Sequence, residues 1–275
     1  MQNPSGVMSF CAWGPATARI LFWMIHLFIR EKIHRKDYFR FLLCAVFGVA
    51  SNQLLFFHGL NLTSPIDASI ILTMTPILVL IFSFVLLKEV ITKYKLWGIL
   101  IGGSGALALI TYGSAAAGTG STLGNFYIFL NCVSYALYLV LVKPLMKTYK
   151  PLTVITWIFT IGSVIVLPLT FEAFRITDVQ KFTPGTYYTI AYVIIGTTFL
   201  TYLLNVYALT KVSPAVNGSY IYLQPVISFI MVSLYAYTFN DNTYSNEIDA
   251  VKIISCIMVI SGVYLISKKP KAINV

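Results

Sequence analysis

The chain has 275 residues, of which 58% are hydrophobic and 10% charged, with a formal net charge of +10. Soluble domains carry about 25% charged residues, so this composition, with a mean hydropathy of +0.81, excludes an ordinary water-facing surface. Continuous apolar runs of about 20 residues suit membrane-spanning helices and exclude the short alternating segments of a β-barrel.

The predicted fold is therefore an all-α polytopic membrane protein. Its runs fall near 8–29, 38–60, 66–87, 96–112, 123–142, 152–171, 186–208, 215–237 and 250–267. The start, MQNPSG, has no basic region ahead of its apolar run, so no cleavable signal peptide is expected. Cys11, Cys44, Cys132 and Cys256 all lie inside apolar runs without a CxxC pair. They read as small packing residues, with no metal site or cofactor implied.

The first run carries Arg19, the only formally charged residue deep in a predicted span. A mid-bilayer arginine is costly and should face protein or water. It would either clamp a substrate carboxylate or cap backbone carbonyls at a bend. The second run offers Asn52 and Gln53. The third offers Thr73, Thr75 and Pro76, and proline in mid-helix frees carbonyls one turn back. In the fourth, Gly98 and Gly102 permit close helix contact, either within the chain or in a homodimer.

Asn131, Tyr135 and Tyr138 share one face of the fifth run. Trp157 stands on the sixth, and Tyr202 and Asn205 on the seventh. The eighth carries Asn217, Tyr220, Tyr222 and Gln224, with Pro225 as its helix break. Asn217, Tyr220 and Gln224 have the spacing of one helical stripe. Each of these polar residues alone could be interhelical glue, but as a set they predict a cavity between helices. His58, Asp67 and Glu89 sit at helix ends, where solvation, capping or local pairing is expected. No carboxylate lies in mid-span.

Most of the 19 basic residues fall in alternate connections: 30–40, 88–95, 143–150, Lys211 and the tail Lys268, Lys269 and Lys271. The opposite set has only Arg175, Lys181 and Lys252. That asymmetry places the basic loops and the C-terminus in the cytoplasm, at the inner (cytoplasmic) membrane. Short basic loops on separate hairpins do not make a nucleic-acid surface.

Residues 58–78 (HGLNLTSPIDASIILTMTPIL) align with 207–227 (YALTKVSPAVNGSYIYLQPVI), with Ser64-Pro65 on Ser213-Pro214 and Pro76 on Pro225. The two loops fall on opposite sides, which predicts inverted-topology repeats, 1–113 and 122–268. Such a unit needs an odd number of helices. Five fit the second repeat and four the first, so the first helix of a ten-helix architecture is expected to be missing, through a misplaced start or in a natural nine-helix protein.

Pro-Ala-x-x-x-Arg (Pro15 to Arg19), the paired SP-containing segments, Lys88-Glu89 and GILIGGSGALALI resemble the EamA-type branch of the drug/metabolite transporter superfamily. The resemblance implies two inverted halves around a central cavity. It also implies secondary transport, with export or uptake of small metabolites such as amino acids. The competing readings are a channel, a non-transporting receptor and a membrane enzyme. The last is disfavoured because HExxH, GxSxG and a buried Asp pair are all missing from the sequence.

Overall fold

A computed structural model describes residues 17–27, 29, 31–113, 121–176, 184–239 and 250–268. Cys11, Pro15, Arg30, Lys181, Lys269, Lys271 and the start of the run at 8–29 lie outside the described residues. The described residues are helical with no strand. They form α1 (17–26), α2 (Arg35–Leu62), α3 in two pieces (Pro65–Leu72 and Thr75–Leu87), α4 (Lys93–Gly113) and α5 (Thr122–Val142). Next come α6 (Pro151–Ile176), α7 (Pro184–Lys211), α8 in two pieces (Pro214–Ser219 and Leu223–Phe239) and α9 (Ala250–Ser267).

Each predicted apolar run coincides with a helix to within a few residues wherever it is described. Among the described residues, five stretches are long and apolar enough to cross a membrane: Arg35–Leu62, Asp67–Leu87, Thr122–Lys147, Pro151–Leu169 and Pro184–Lys211. Ile253–Ser267 is apolar but shorter. α4 is diluted by Gly98, Gly102, Gly103, Ser104 and Gly105, which serve packing instead.

That packing settles the glycine seam. α4 and α9 lie against each other so closely that a Cβ on Gly262 would stand 2.4 Å from the Cα of Gly102. A Cβ on Gly98 would stand 2.7 Å from the Gly262 carbonyl oxygen. Of the two roles open to Gly98 and Gly102, contact within the chain is the one they fill. Tyr222, fully buried, rests on the same strip, with its ring and hydroxyl beside Gly102 and Gly103.

Elsewhere the core runs through α1, α2, the second piece of α3, α5, α6 and α7, where Phe22, Phe41, Val79, Tyr138, Phe159 and Val206 are buried. α4, α8 and α9 form separate clusters, one around Tyr222 and one in which Ile99, Ala215 and Ile266 meet Leu80 of α3. The broken helices join these clusters to the core, because the first piece of α8 packs on the second piece of α3, with Gly218 over Val79.

Both broken helices start alike. Ser64 Oγ accepts from the Asp67 N–H at 3.0 Å and Ser213 Oγ from the Val216 N–H at 3.4 Å, each with proline in the first turn. Such caps satisfy an end amide that has no intrahelical partner. Both chains then turn and resume near Pro76 and Pro225.

Side chains also pin the connections. Lys143 Nζ donates to the carbonyls of Leu209 (2.5 Å) and Val212 (2.7 Å), holding the negative end of α7. Tyr149 donates to Asp37 Oδ2 at 2.7 Å and accepts from the His34 N–H at 3.0 Å. Burial of its ring raises the Tyr149 pKa, which keeps the proton on this donor. Glu89 pairs with Lys95 at 3.2 Å, the local pairing expected of it.

The seam generates a direct expectation. Gly262→Val must force α4 and α9 apart, at a cost of about 1–3 kcal/mol. A lowered melting temperature of the detergent-purified protein would show it, and an unchanged one would contradict the close approach.

A candidate site of amides and phenols

The site begins with a backbone irregularity. Residues Val46–Ala50 of α2 and Val193–Leu200 of α7 wind as π-helix. Wider turns disturb the regular carbonyl–amide ladder, and such bulges recur at functional sites. In a span, a carbonyl without its amide needs a protein donor. Here Phe47 O accepts from Ser134 Oγ at 2.8 Å, and Gly48 O accepts from the Tyr202 hydroxyl at 3.2 Å. Gly48 also lets the Tyr138 ring lie on the helix, since a Cβ there would stand 2.4 Å from that ring.

One turn on, Asn131 Nδ2 of α5 donates to the Asn52 carbonyl at 2.7 Å, and Tyr202 reaches Asn52 Oδ1 at 3.4 Å. A second chain of bonds runs from α8 through α7 to α5. Asn217 Nδ2 donates to Asn205 Oδ1 at 2.7 Å, and Asn205 Nδ2 donates to the Tyr135 hydroxyl at 2.5 Å. Tyr138 stands between the two chains, with ring centroids 6.0 Å from Tyr135 and 6.5 Å from Tyr202. Its hydroxyl is buried and has no hydrogen-bond partner among the described residues.

Asn52, Asn131, Tyr135, Tyr202 and Asn205 are thus brought together, with Asn217 and Tyr138 completing the group. Other expected site residues lie apart from it. Thr73 Oγ1 donates to its own helix at Ile70 O, 2.6 Å away. Thr75 is buried beside the break, where the Cys132 thiol donates to the Ile71 carbonyl at 3.5 Å. Gln53 is half-buried and engaged in an interaction of its own.

Trp157 stands edge-on to Trp23 at 5.7 Å, with its indole N–H buried. The stripe Asn217–Tyr220–Gln224 is divided, because the chain tightens into a 3-10 turn at Tyr220–Tyr222 and the register changes there. Asn217 stays with the network, whereas Tyr220 is 50% exposed and Gln224 is exposed.

Arg19 lies in a different place. It lines an open groove of about 380 Å³ with Ile20, Trp23, Met24, Leu27 and Thr160. Trp23 closes one wall by donating to Thr160 Oγ1 at 2.8 Å. None of these residues belongs to the amide–phenol network. At the break before Pro76 the Met74 N–H bonds Ile71 O at 2.9 Å, and the Ile77 N–H bonds Met74 O at 3.1 Å.

Sequence reasoning missed Ser134, Cys132 and the two π-turns. Ser134 lies three residues from Asn131 and four from Tyr138, so helical spacing could have found it. The π-turns leave no mark in composition.

Comparison with known proteins completes the picture. The chain matches the EamA-like transporter family over residues 2–111 and again over 122–268. An uncharacterized transporter of Bacillus subtilis (strain 168), YyaM, is 27% identical over 262 residues, covering 93% of this chain and 82% of that protein. A second from the same organism, YetK, is 28% identical over 211 residues, covering 74% and 64%. An uncharacterized transporter of Archaeoglobus fulgidus is 26% identical over 215 residues, covering 78% and 75%. A crystal structure superposes with a TM-score of 0.74 at 15% identity, covering 96% of this chain and 90% of its own, which speaks for the fold alone. This multi-pass helical chain belongs to the EamA-like transporter family.

Proposed function

We propose that the protein is a secondary transporter, not an enzyme, that exports small metabolites by alternating access. Its two halves are read as inverted repeats, and the amino acids implied by the resemblance belong to the range of candidate solutes. The observation that carries the reading is the network linking α5, α7 and α8 through Asn205, together with Tyr202 on Asn52. Amides and phenols from helices of both halves meet in the middle of otherwise apolar spans. Broken helices capped by Ser64 and Ser213 and π-turns in α2 and α7 supply paired irregularities, as inverted-repeat transporters do. The first piece of α8 against the second piece of α3 is the contact that rocking would open and close.

Charge bias supports an inner-membrane protein with its C-terminus in the cytoplasm. A fluorescent protein fused after Val275 should therefore fluoresce, and alkaline phosphatase at the same point should be inactive. The opposite pattern would invert the topology. A homodimer is compatible with this arrangement and would use a surface other than the α4–α9 seam.

Asn205→Leu strands the Tyr135 hydroxyl and the Asn217 amide. It should destabilise the protein by about 1–3 kcal/mol and lower export by about tenfold or more, the scale of one lost hydrogen bond to a bound solute. Efflux from expressing cells, normalised to membrane level, measures this. Undiminished efflux would remove the network from the transport path.

A further inference from the structure

We infer, resting on the transport reading above, that the solute handled at this site carries no formal charge and offers a hydrogen-bond acceptor to the Tyr138 hydroxyl. Three observations carry this. First, every residue of the site is a neutral amide or phenol, and the only formally charged residue deep in a span, Arg19, lies in a groove that shares no residue with the site. A carboxylate or ammonium entering would lose its hydration with no counter-charge to replace it.

Second, amides at the helix breaks are engaged within the protein. Free N–H groups at a half-helix N-terminus can hold an anion, but here amides on both breaks are already bonded. The Met74 and Ile77 amides are spent on the carbonyls of Ile71 and Met74. The Tyr220 and Leu223 amides are spent on carbonyls within residues 217–221.

Third, one donor at the centre is unspent. The Tyr138 side chain is 0% exposed, its ring lies against Gly48 between Tyr135 and Tyr202, and its hydroxyl has no partner among the described residues. A carbonyl, hydroxyl or ring-nitrogen acceptor on a planar or compact neutral solute would satisfy it, and the flanking aromatic rings suit such a solute. Free amino acids, with two formal charges, fall outside this class, so the range of candidate solutes given above narrows to its uncharged members.

Tyr138→Phe removes that hydroxyl without breaking any hydrogen bond among the described residues, so a purely structural hydroxyl would leave transport unchanged. The experiment compares the medium of cells expressing the protein, its Tyr138→Phe variant and an empty vector, by untargeted mass spectrometry at equal membrane levels. The melting temperature of both purified proteins is recorded alongside.

The expected result is chain-dependent release of compounds uncharged at neutral pH, reduced about tenfold by Tyr138→Phe with the melting temperature kept or raised. Release confined to carboxylates, amines or free amino acids would overturn the inference and leave the transport reading standing. So would release of neutral compounds that Tyr138→Phe does not affect. No chain-dependent compound of any kind would overturn the transport reading and this inference with it.

Discussion

A bilayer interior offers no water, so each polar group in a span must find its partner within the protein. Much of the site follows from that one constraint. At the π-turn in α2, Ser134 and Tyr202 come from other helices to donate to the carbonyls of Phe47 and Gly48. At the break in α3 the Cys132 thiol adds a tertiary contact to the Ile71 carbonyl, which also accepts the Met74 N–H. Tertiary hydrogen bonds in the spans thus gather at irregular backbone. The irregular backbone lies where helices of the two halves meet.

Close packing supplies the second half of the account. With no hydrophobic drive between helices in lipid, association depends on tight van der Waals contact and a few hydrogen bonds. α4 and α9 use the first means, through Gly98, Gly102 and Gly262. α5, α7 and α8 use the second, through Tyr135, Asn205 and Asn217. A glycine seam is rigid, since nothing smaller can slide in. A chain of amides and phenols can exchange partners with a solute, which suits the passage proposed above.

Much of this was legible in the sequence, because hydropathy and breakers report directly on spans and turns. The Ser-Pro pairs at 64–65 and 213–214 mark helix starts, and Pro76 and Pro225 mark the resumptions after each break. Helical spacing placed Asn131, Tyr135 and Tyr138 on one face, and they do share it. Spacing failed where the helix is not regular. Asn217, Tyr220 and Gln224 form a stripe only if α8 is continuous, and the 3-10 turn at 220–222 divides them.

Arg19 was singled out by its charge, but charge alone does not say which neighbour a helix face meets. Its face meets Thr160 and open groove. Thr73 and Thr75 are polar in the right helix, yet the Thr73 hydroxyl is spent on the Ile70 carbonyl and Thr75 is buried beside the break.

The central claim is that the Asn205 region is a passage reached from both sides of the membrane in turn. The measurement that tests it is the labelling of Asn205→Cys, in a chain whose four native cysteines are replaced, by a membrane-impermeant maleimide applied to intact cells and to inverted vesicles. The account predicts labelling from each side, with reaction from one side blocking later reaction from the other. Labelling from neither side, or from one side only under all conditions, would contradict alternating access and leave the network as packing between helices.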